Sequence, residues 1–402
     1  MKVAIFNVEG GHAGGAASIA CDIALAVNNT GGASVINYGR LGIEEHGVKI
    51  RRIDNNVDIY YHVMISRLLD IHGNGSYIAT RRAIEELDRF KPDLINLHII
   101  HGYYLNYECL FEYIKNNKLP VVWTFHDCWA FTGHCATFDD AGCEKWKYQC
   151  GDCPKKGFYP KSLLIDNSKN NYIRKKNVFT SVDNLTIVTP SEWLASKVRE
   201  SFLNKYPVKV INNGIDLDVF THLPGRFKEK HNLIGKKMVL GVAATWSESK
   251  GYYDFLKLSS ILPDDYVIVL VGLSDEQLNS IPRNILGIRR TTDRNELIEA
   301  YSAADVFVDP TRSDNFPTVI LEALACGTPV VTYDTGGCPE EIDNTCGRVV
   351  AQGDIPGLCQ SVIDLINMGD ISNQCINRAQ LFDKKDKCLE YMHLFNSMLS
   401  GN

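Results

Sequence analysis

The sequence predicts an α/β protein with two doubly wound domains, each built on a parallel sheet covered by helices. Short apolar runs of strand length alternate with amphipathic stretches along most of the chain, as in strand–helix–strand crossovers. A chain of 402 residues is also too long for one ordinary core. Ligands of such sheets bind beyond the carboxyl ends of the strands, so we expect the chemistry in a cleft between the two domains.

The alternation forms two series with a boundary at residue 212. Predicted strands cover residues 2–8, 93–98, 120–126, 185–189 and 208–211, then 237–243, 266–272, 305–309 and 329–333. Predicted helices cover residues 16–27, 81–90 and 107–117, then 251–261, 294–303, 318–326 and 355–367. The first domain is expected to comprise residues 1–212 plus 386–402, with a cysteine-rich insert over 128–176, and the second residues 213–385.

The composition excludes several classes of protein. Hydrophobic residues at 45% and charged residues at 22% are typical of soluble globular proteins, which argues against a disordered or fibrous chain. A net charge of −6 gives no overall attraction to nucleic acid, so we expect no nucleic-acid partner. No apolar run has the length of a membrane span, and the first residues do not resemble a signal peptide. We therefore expect a cytoplasmic protein.

The most informative motif is DPTRSDNFPTVILEALACGTPVV, residues 309–331. A strand ends at Asp309, a polar loop follows, and Pro317 is expected in the first turn of a helix that contains Thr318 and Glu322. The free N–H groups at such a helix start form an anion site, and Asp314 lies at its mouth. The structural alternative is that Asp314 only complements the helix dipole and Glu322 is an exposed helix residue.

This segment resembles the E-x7-E signature of family 4 retaining glycosyltransferases, which have the GT-B fold of two Rossmann-like domains. It is most similar to the branch that makes polysaccharides and O-antigen. The resemblance implies that Asp314 contacts the donor sugar, that the Asn315–Phe316 loop holds sugar hydroxyls and phosphate, and that Glu322 binds the ribose. One departure is that the first acid is aspartate. The resemblance also implies that a last helix over residues 386–399 packs on the first domain.

A second motif, GVAATWSESKG over residues 241–251, follows the first strand of the second domain. In the family this place carries an arginine and a lysine that clamp the donor diphosphate. Lys250 matches the lysine, whereas Thr245 stands where the arginine is usual. Lys250 precedes a helix start and is expected to be exposed. The structural alternative is a solvated lysine without a ligand.

Three features of the first domain are candidates for the remaining site. The turn EGGHAGGAAS, residues 9–18, provides Gly14 and Gly15, which allow close backbone approach to the donor or form only a tight turn. His126 ends the apolar strand of VVWTFHD, and the resemblance implies that it contacts the transferred sugar. His98 and His101 end the preceding strand, and we expect them to line the acceptor side or to be structural.

Four cysteines of the insert, Cys135, Cys143, Cys150 and Cys153, have the spacing C-x7-C-x6-C-x2-C. Four thiolates suit a tetrahedral structural zinc ion, but only one C-x2-C pair is present. A reduced metal-free loop and two disulfides are the alternatives left open.

The segment 155–176 contains seven lysines and arginines against one aspartate, with Phe158, Tyr159, Leu163 and Leu164 interleaved. Such a segment suits contact with an anionic bilayer or a lipid diphosphate acceptor, and a solvated loop is the alternative. The first option predicts a peripheral protein on the inner face of the cell membrane.

The predicted function is transfer of a hexose-type sugar, with retention, from a UDP- or GDP-sugar to a glycan or lipid-linked oligosaccharide. No cofactor is expected for catalysis, because Lys250 and the helix start can stabilise the leaving diphosphate in place of a divalent metal. Two alternatives remain: a sugar-nucleotide epimerase or hydrolase of the same fold, and a non-catalytic nucleotide-sugar-binding module.

Overall fold

The computed structural model describes residues 1–291 and 293–400, and the chain divides into two compact units. Unit 1 comprises Met1–Asn212 and Lys387–Asn402, and unit 2 comprises Asn213–Asp386. Residues 401 and 402, the end of the predicted 386–402 segment, lie outside the described residues.

Unit 1 is built on a sheet of seven parallel strands in the order β3-β2-β1-β4-β5-β6-β7. Its elements are β1 (Lys2–Asn7), α1 (Gly15–Asn29), β2 (Ala33–Tyr38), β3 (Lys49–Arg52), α2 (Asn56–Leu69), α3 (Tyr77–Phe90), β4 (Leu94–Leu97), α4 (Tyr107–Asn117), β5 (Val121–Thr124), α5 (Ser168–Phe179), β6 (Leu185–Thr189), α6 (Glu192–Glu200) and β7 (Val208–Val210). Successive strands are added in one direction from β1 to β3 and in the opposite direction from β4 to β7. The switch point between β1 and β4 is where doubly wound sheets bind ligands.

The two faces of this sheet are packed differently. One face carries an aromatic core that includes Trp123, Phe111 and Phe179, whose ring centroids lie 4.8 to 5.4 Å apart. On the other face, α1 packs together with the last helix of the chain, whose Tyr391 hydroxyl lies 3.2 Å from the Thr124 hydroxyl and whose Phe395 is fully buried. The last helix is therefore part of the unit 1 core.

Unit 2 is built on a sheet of six parallel strands in the order β10-β9-β8-β11-β12-β13. Its elements are α7 (Phe227–Lys230), β8 (Lys237–Val242), α8 (Tyr252–Ser259), β9 (Tyr266–Val271), α9 (Asp275–Ser280), β10 (Ile285–Ile288), α10 (Arg294–Ala303), β11 (Val306–Asp309), α11 (Thr318–Ala325), β12 (Val330–Tyr333), α12 (Cys338–Glu341), β13 (Gly347–Val350), α13 (Ile355–Asn367) and α14 (Ser372–Gln380), and α15 (Lys384–Ser400) is the last helix. The switch point lies between β8 and β11, the two strands whose following loops carry Lys250 and Asp314.

The predicted α/β class with two doubly wound domains is confirmed, and the nine predicted strands all occur within a residue or two of their expected ends. The prediction missed β2, β3, β10 and β13, of which the last three are edge strands. An edge strand is paired on one side only and needs fewer apolar residues, so sequences such as KIRR in β3 give a weak signal. No helix among residues 1–291 and 293–400 is long and apolar enough to cross a membrane.

The packing of α15 generates a stability prediction. Phe395→Ala should destabilise unit 1 by about 3–5 kcal/mol, because it removes a fully buried aromatic side chain and leaves a cavity. Leu399→Ala, in the same helix at an exposed position, is the matched control and should change stability by less than about 0.5 kcal/mol. Urea unfolding measures both values. Equal effects of the two substitutions would contradict the placement of α15 in the core.

Candidate active site

Two loops meet at the switch point of unit 2, the one that follows β8 and the one that follows β11. The backbone N–H of Arg312 donates to the Ser249 carbonyl at 2.8 Å, which joins the loops directly. Gly251 has φ +73°, and a Cβ there would lie 2.4 Å from the Pro310 carbonyl oxygen. Glycine is therefore required where the first loop turns into α8.

Lys250 and Asp314 form an ion pair across these loops, with 2.6 Å between Nζ and Oδ2. Burial by itself would lower the pKa of Lys250, but the carboxylates of Asp314 and Asp309 outweigh it and raise the pKa above its ordinary value. The lysine is therefore charged at neutral pH. Its side chain is 38% exposed and paired with Asp314, so Lys250 is not the solvated lysine of the structural alternative.

The Asp314 loop is held from several sides. Asp314 accepts a hydrogen bond from the backbone N–H of Asn315 at 2.9 Å, and the Asn213 side chain donates to the Phe316 carbonyl at 2.9 Å. Gly336 has φ +55°, and a Cβ there would lie 1.7 Å from the Asp314 carbonyl oxygen. The segment that leads into α12 therefore packs on the loop backbone. Phe316 is buried, so only its backbone is a candidate for ligand contact.

The helix α11 begins at Thr318, with Pro317 at the N-cap rather than in the first turn. Glu322 lies just over one turn inside the helix and accepts a hydrogen bond from the Tyr301 hydroxyl at 2.9 Å. Burial raises the pKa of Glu322 to about 7, against the lowering effect of the Tyr301 hydrogen bond and the Arg294 charge. Glu322 is thus not the exposed helix residue of the structural alternative.

No arginine takes the place of the family residue at Thr245, whose side chain is exposed. Among the candidate replacements, Arg312 donates to both carboxylate oxygens of the buried Asp254 at 2.8 and 3.0 Å. Arg289 pairs with Asp275 at 2.7 Å, and Arg290 is exposed. Lys250 is therefore the cation that contacts Asp314 in the part of the chain that the structure describes.

Two further acids near this pair, Asp309 and Glu341, were missed by the sequence analysis. Burial raises the pKa of Asp309 to about 7, although the Lys250 charge opposes this shift. Burial also raises the pKa of Glu341 well above its ordinary value, and the neighbouring Asp314 and Asp309 add to the shift. Their positions, at the end of β11 and the end of α12, carry no recognisable pattern in the sequence.

At the switch point of unit 1, His98 and His126 form a stacked pair with 2.9 Å between Nδ1 of His98 and Nε2 of His126. The Asn96 amide donates to the Val122 carbonyl, so its oxygen faces Nε2 of His98, 2.9 Å away. Nε2 of His98 is then the protonated nitrogen, and His126 donates from Nε2. Burial lowers the pKa of His98 far below its ordinary value and that of His126 to about 4, so both rings are neutral.

His101 does not join this pair but bridges two other side chains. Its Nε2 lies 2.7 Å from an Asp127 carboxylate oxygen, and its Nδ1 lies 3.0 Å from the Tyr159 hydroxyl. The structure therefore brings His98 and His126 together and places His101 beside them, around a cavity of about 10 Å³ that His98, His101 and His126 all line. A cavity of that size holds about one water molecule.

The glycine-rich turn places Gly14 at the N-cap of α1 and Gly15 at its first residue. A Cβ at Gly14 would lie 2.7 Å from a Glu9 carboxylate oxygen, whereas Gly15 has open space around it. Hydrogen bonds with Asp22, and more weakly with Glu45, raise the pKa of His12 in this turn to about 10. The sequence analysis missed this cation.

The tetrahedral metal site expected at the four cysteines of the insert stays a prediction. Within residues 1–291 and 293–400, no group of three or more His, Cys, Asp or Glu side chains converges closely enough to hold a metal ion. None of the four cysteines forms a disulfide, and the Cys135 thiol hydrogen-bonds that of Cys153. Cys135 is buried and Cys150 half-buried against the aromatic core. The backbone N–H of Gly133 donates to the Cys150 sulfur at 3.2 Å, a contact that suits a metal-free thiol as well.

The basic segment 155–176 is only partly a solvated surface. Lys155 is buried against Asp140, and Lys175 is buried in α5, where it donates to the carbonyls of Trp129 and Thr132. Burial lowers the pKa of Lys175 to about 7. The four apolar side chains Phe158, Tyr159, Leu163 and Leu164 are exposed, as are Lys161, Lys169 and Lys176.

Comparison with known protein families shows which family of proteins this chain belongs to. The model of the family described as Glycosyltransferase Family 4 matches residues 14–219, just over half of the chain. The model described as Glycosyl transferases group 1 matches residues 225–382. The chain therefore belongs to glycosyltransferase family 4, and it is a glycosyltransferase.

Individual relatives agree with this assignment. WcaC of Escherichia coli (strain K12), described as a colanic acid biosynthesis glycosyl transferase, is 27% identical over 384 residues, 90% of each chain. The N,N'-diacetylbacillosaminyl-diphospho-undecaprenol alpha-1,3-N-acetylgalactosaminyltransferase of Campylobacter jejuni is 35% identical over 127 residues, which cover 29% of this chain and 32% of that one. Anabaena Alr3699/HepE in complex with UDP has a similar structure, with a TM-score of 0.71, 15% identity and coverage of 99% and 100%. The predicted GT-B fold is confirmed.

The burial of Glu322 generates a prediction about stability and pH. A folded-state pKa of about 7, above the ordinary glutamate value of 4.5, means that stability falls as pH rises from about 4.5 to about 7. Glu322→Gln removes the buried charge and should raise the melting temperature at about pH 8 by roughly 2–4 °C, with no gain below about pH 4.5. The exposed Glu276→Gln in α9 is the control and should show neither effect. A lower melting temperature of Glu322→Gln at pH 8 would contradict the pKa assignment.

Proposed function

We propose that this glycosyltransferase moves a sugar, with retention, from a nucleotide sugar bound by unit 2. The observation that carries the proposal is the Lys250–Asp314 ion pair at the start of α11. A charged lysine and the unpaired N–H groups of a helix start form a site for a diphosphate. Glu322, one turn further on, supplies a carboxylate for the ribose hydroxyls. Structural relatives are described as complexes with UDP and with UDP-glucose, which favours a UDP-sugar over a GDP-sugar as donor.

The chemistry proposed for Lys250 is stabilisation of the leaving nucleoside diphosphate. Charge grows on the diphosphate as the bond to the sugar breaks, and a preorganised ammonium group lowers the energy of that state. To do this, Lys250 must contact the phosphate in addition to Asp314 or in place of it. No divalent metal is required in this scheme, because Lys250 and the helix start supply the positive potential.

The acceptor is proposed to bind unit 1 near the neutral His98–His126 pair. His126 donates from Nε2 to His98, and we propose that a hydroxyl of the acceptor sugar approaches this neutral pair. We propose a growing glycan as acceptor, carried on a lipid, and a role in surface polysaccharide or O-antigen synthesis. Support comes from the relatives named for colanic acid and for a diphospho-undecaprenol substrate.

The donor is tested with a thermal-shift panel of UDP-, GDP- and ADP-sugars. A ligand at a hundred times its dissociation constant should stabilise the chain by about 2.7 kcal/mol. Release of nucleoside diphosphate in the presence and absence of acceptor then separates the functions. Acceptor-dependent release supports a transferase. Release without acceptor would indicate a hydrolase, an isomerised sugar nucleotide would indicate an epimerase, and binding without turnover would indicate a binding module.

Lys250→Ala tests the role of the lysine. Loss of the charge aimed at the leaving group should lower kcat by about a hundred- to a thousand-fold. Thr245→Arg in the Lys250→Ala background should recover part of the loss, because it restores a cation at the family position. The control is Lys236→Ala, which removes an exposed lysine of unit 2 that contacts only the Asp264 carbonyl in the described hydrogen bonds. A Lys250→Ala enzyme within a few-fold of wild type would contradict the assignment.

We also propose that unit 1 contacts the inner face of the cell membrane through one exposed apolar face. The segment 158–165 lies beside the end of α2, because the Leu163 N–H donates to the Arg67 carbonyl at 2.7 Å. On α2 itself Val57, Tyr60 and Met64 are exposed. The exposed cations Arg67, Lys161 and Lys169 accompany these side chains. Apolar groups with flanking cations are the combination that binds anionic bilayers.

Co-sedimentation with vesicles tests this contact. The chain should bind vesicles that contain phosphatidylglycerol more strongly than neutral phosphatidylcholine vesicles, and added salt should weaken the binding. Tyr60→Ser combined with Leu164→Ser should reduce binding by about tenfold, since each buried methylene contributes about 0.8 kcal/mol. Ile234→Ser, an exposed apolar position in unit 2, is the control. Equal binding of the double variant and the wild type would contradict the proposed face.

A further inference from the structure

Unit 2 places three carboxyl groups close to one another at the proposed donor site, and two of them, Asp314 and Asp309, lie beside Lys250. Glu341 is fully buried, and neither of its carboxylate oxygens has a hydrogen-bond partner among the described residues. The same holds for Oδ2 of Asp309, which ends β11. Asp314, the third acid, is paired with Lys250. Buried carboxyl groups without partners are rare in folded proteins and call for a functional explanation.

Arg378 is the cation that acts on Glu341, but it does not hydrogen-bond the Glu341 carboxyl group. The Arg378 guanidinium donates to the backbone carbonyls of Glu340 and Glu341 at 2.7 and 2.9 Å, and not to the Glu341 carboxyl group. The charged and titratable groups that act on Glu341 are Asp314, Asp309, Glu340 and Arg378, together with the Cys338 thiol. Those that act on Asp309 are Lys250, Asp314, Glu341, Cys338 and Tyr301.

Charge balance decides what these acids can do at a diphosphate site. If all three were ionised, a single lysine would face three carboxylates before an anionic diphosphate arrived, and like charges at close range repel. If Asp309 and Glu341 are neutral, the lysine balances Asp314 and is available to the phosphate. Burial favours this second state, because it disfavours the charged form of a carboxyl group.

We propose that Asp309 and Glu341 are positioning residues that serve the donor site as neutral acids. As neutral groups they add no negative charge next to the Lys250–Asp314 pair, so the positive charge of the lysine is available to the donor diphosphate. Binding of the diphosphate favours the protonated form of Asp309 further, so donor binding is coupled to proton uptake. This inference rests on the proposed nucleotide-sugar donor.

The pH dependence of donor affinity tests the proposal. The probe is UDP-glucose, whose diphosphate carries constant charge near neutral pH, titrated into the full chain by calorimetry. Because burial raises the pKa of Asp309 to about 7, affinity should fall as pH rises from about 6 to about 8.5. A diphosphate that raises this pKa by one unit produces a tenfold fall. Asp309→Asn keeps the group neutral and should bind UDP-glucose like the wild type at pH 6 and about tenfold more tightly than the wild type at pH 8.5, since Glu322 ionises equally in both chains.

Two further measurements test the proposal without relying on the folding of the Asp309→Asn variant. Glu341→Gln, neutral at every pH, should bind UDP-glucose within about twofold of wild type at pH 6. Calorimetry of the wild type in two buffers with different ionisation enthalpies should show net proton uptake near pH 7.5. Glu276→Gln removes an exposed charge from the same unit and should leave the pH profile unchanged.

The outcomes separate this inference from the proposed function. An Asp309→Asn chain that keeps the wild-type affinity for UDP-glucose at every pH would overturn the role of the neutral acids while the donor site stands. Loss of binding at pH 6 in the folded Asp309→Asn and Glu341→Gln chains would also overturn it. A wild-type chain that binds no UDP-, GDP- or ADP-sugar at any pH would overturn both proposals.

Discussion

The ion pair between Lys250 and Asp314 is the contact on which the proposed donor site depends. It joins the loop after β8 to the loop after β11, the two loops that the doubly wound topology brings together at the switch point. Backbone contacts at Gly251, Arg312 and Gly336 hold the same loops in place without using either charge. The lysine can therefore exchange its partner while the loops keep their positions.

The surrounding polar groups are consistent with a site that gives up stability for binding. Glu322, Asp309 and Glu341 are acids in positions where burial opposes their charge. An apolar side chain at each of these positions would give the folded chain a higher free energy of unfolding. Carboxyl groups remain useful there because they hydrogen-bond hydroxyl groups and because their charge responds to a bound anion. In unit 1, the His98–His126 pair likewise places buried polar groups at the switch point of a sheet.

The sequence was sufficient to predict the doubly wound fold and the loops that carry Lys250, Asp314 and Glu322. Buried parallel strands are continuous apolar runs, and a glycine or proline marks each end of α11, so these elements have strong local signals. Asp309 and Glu341 could not be found in this way, because their raised pKa values result from burial by residues distant in sequence. The role of the four cysteines in the insert could not be predicted from the sequence in the same way, since cysteine spacing alone does not distinguish a metal site from free thiols.

The structure of the chain in complex with UDP-glucose is the measurement that tests the central claim most directly. The account predicts that Nζ of Lys250 lies within hydrogen-bonding distance of a diphosphate oxygen and that the Glu322 carboxyl group contacts the ribose hydroxyls. A nucleotide bound elsewhere, with Lys250 still paired only with Asp314, would contradict the account.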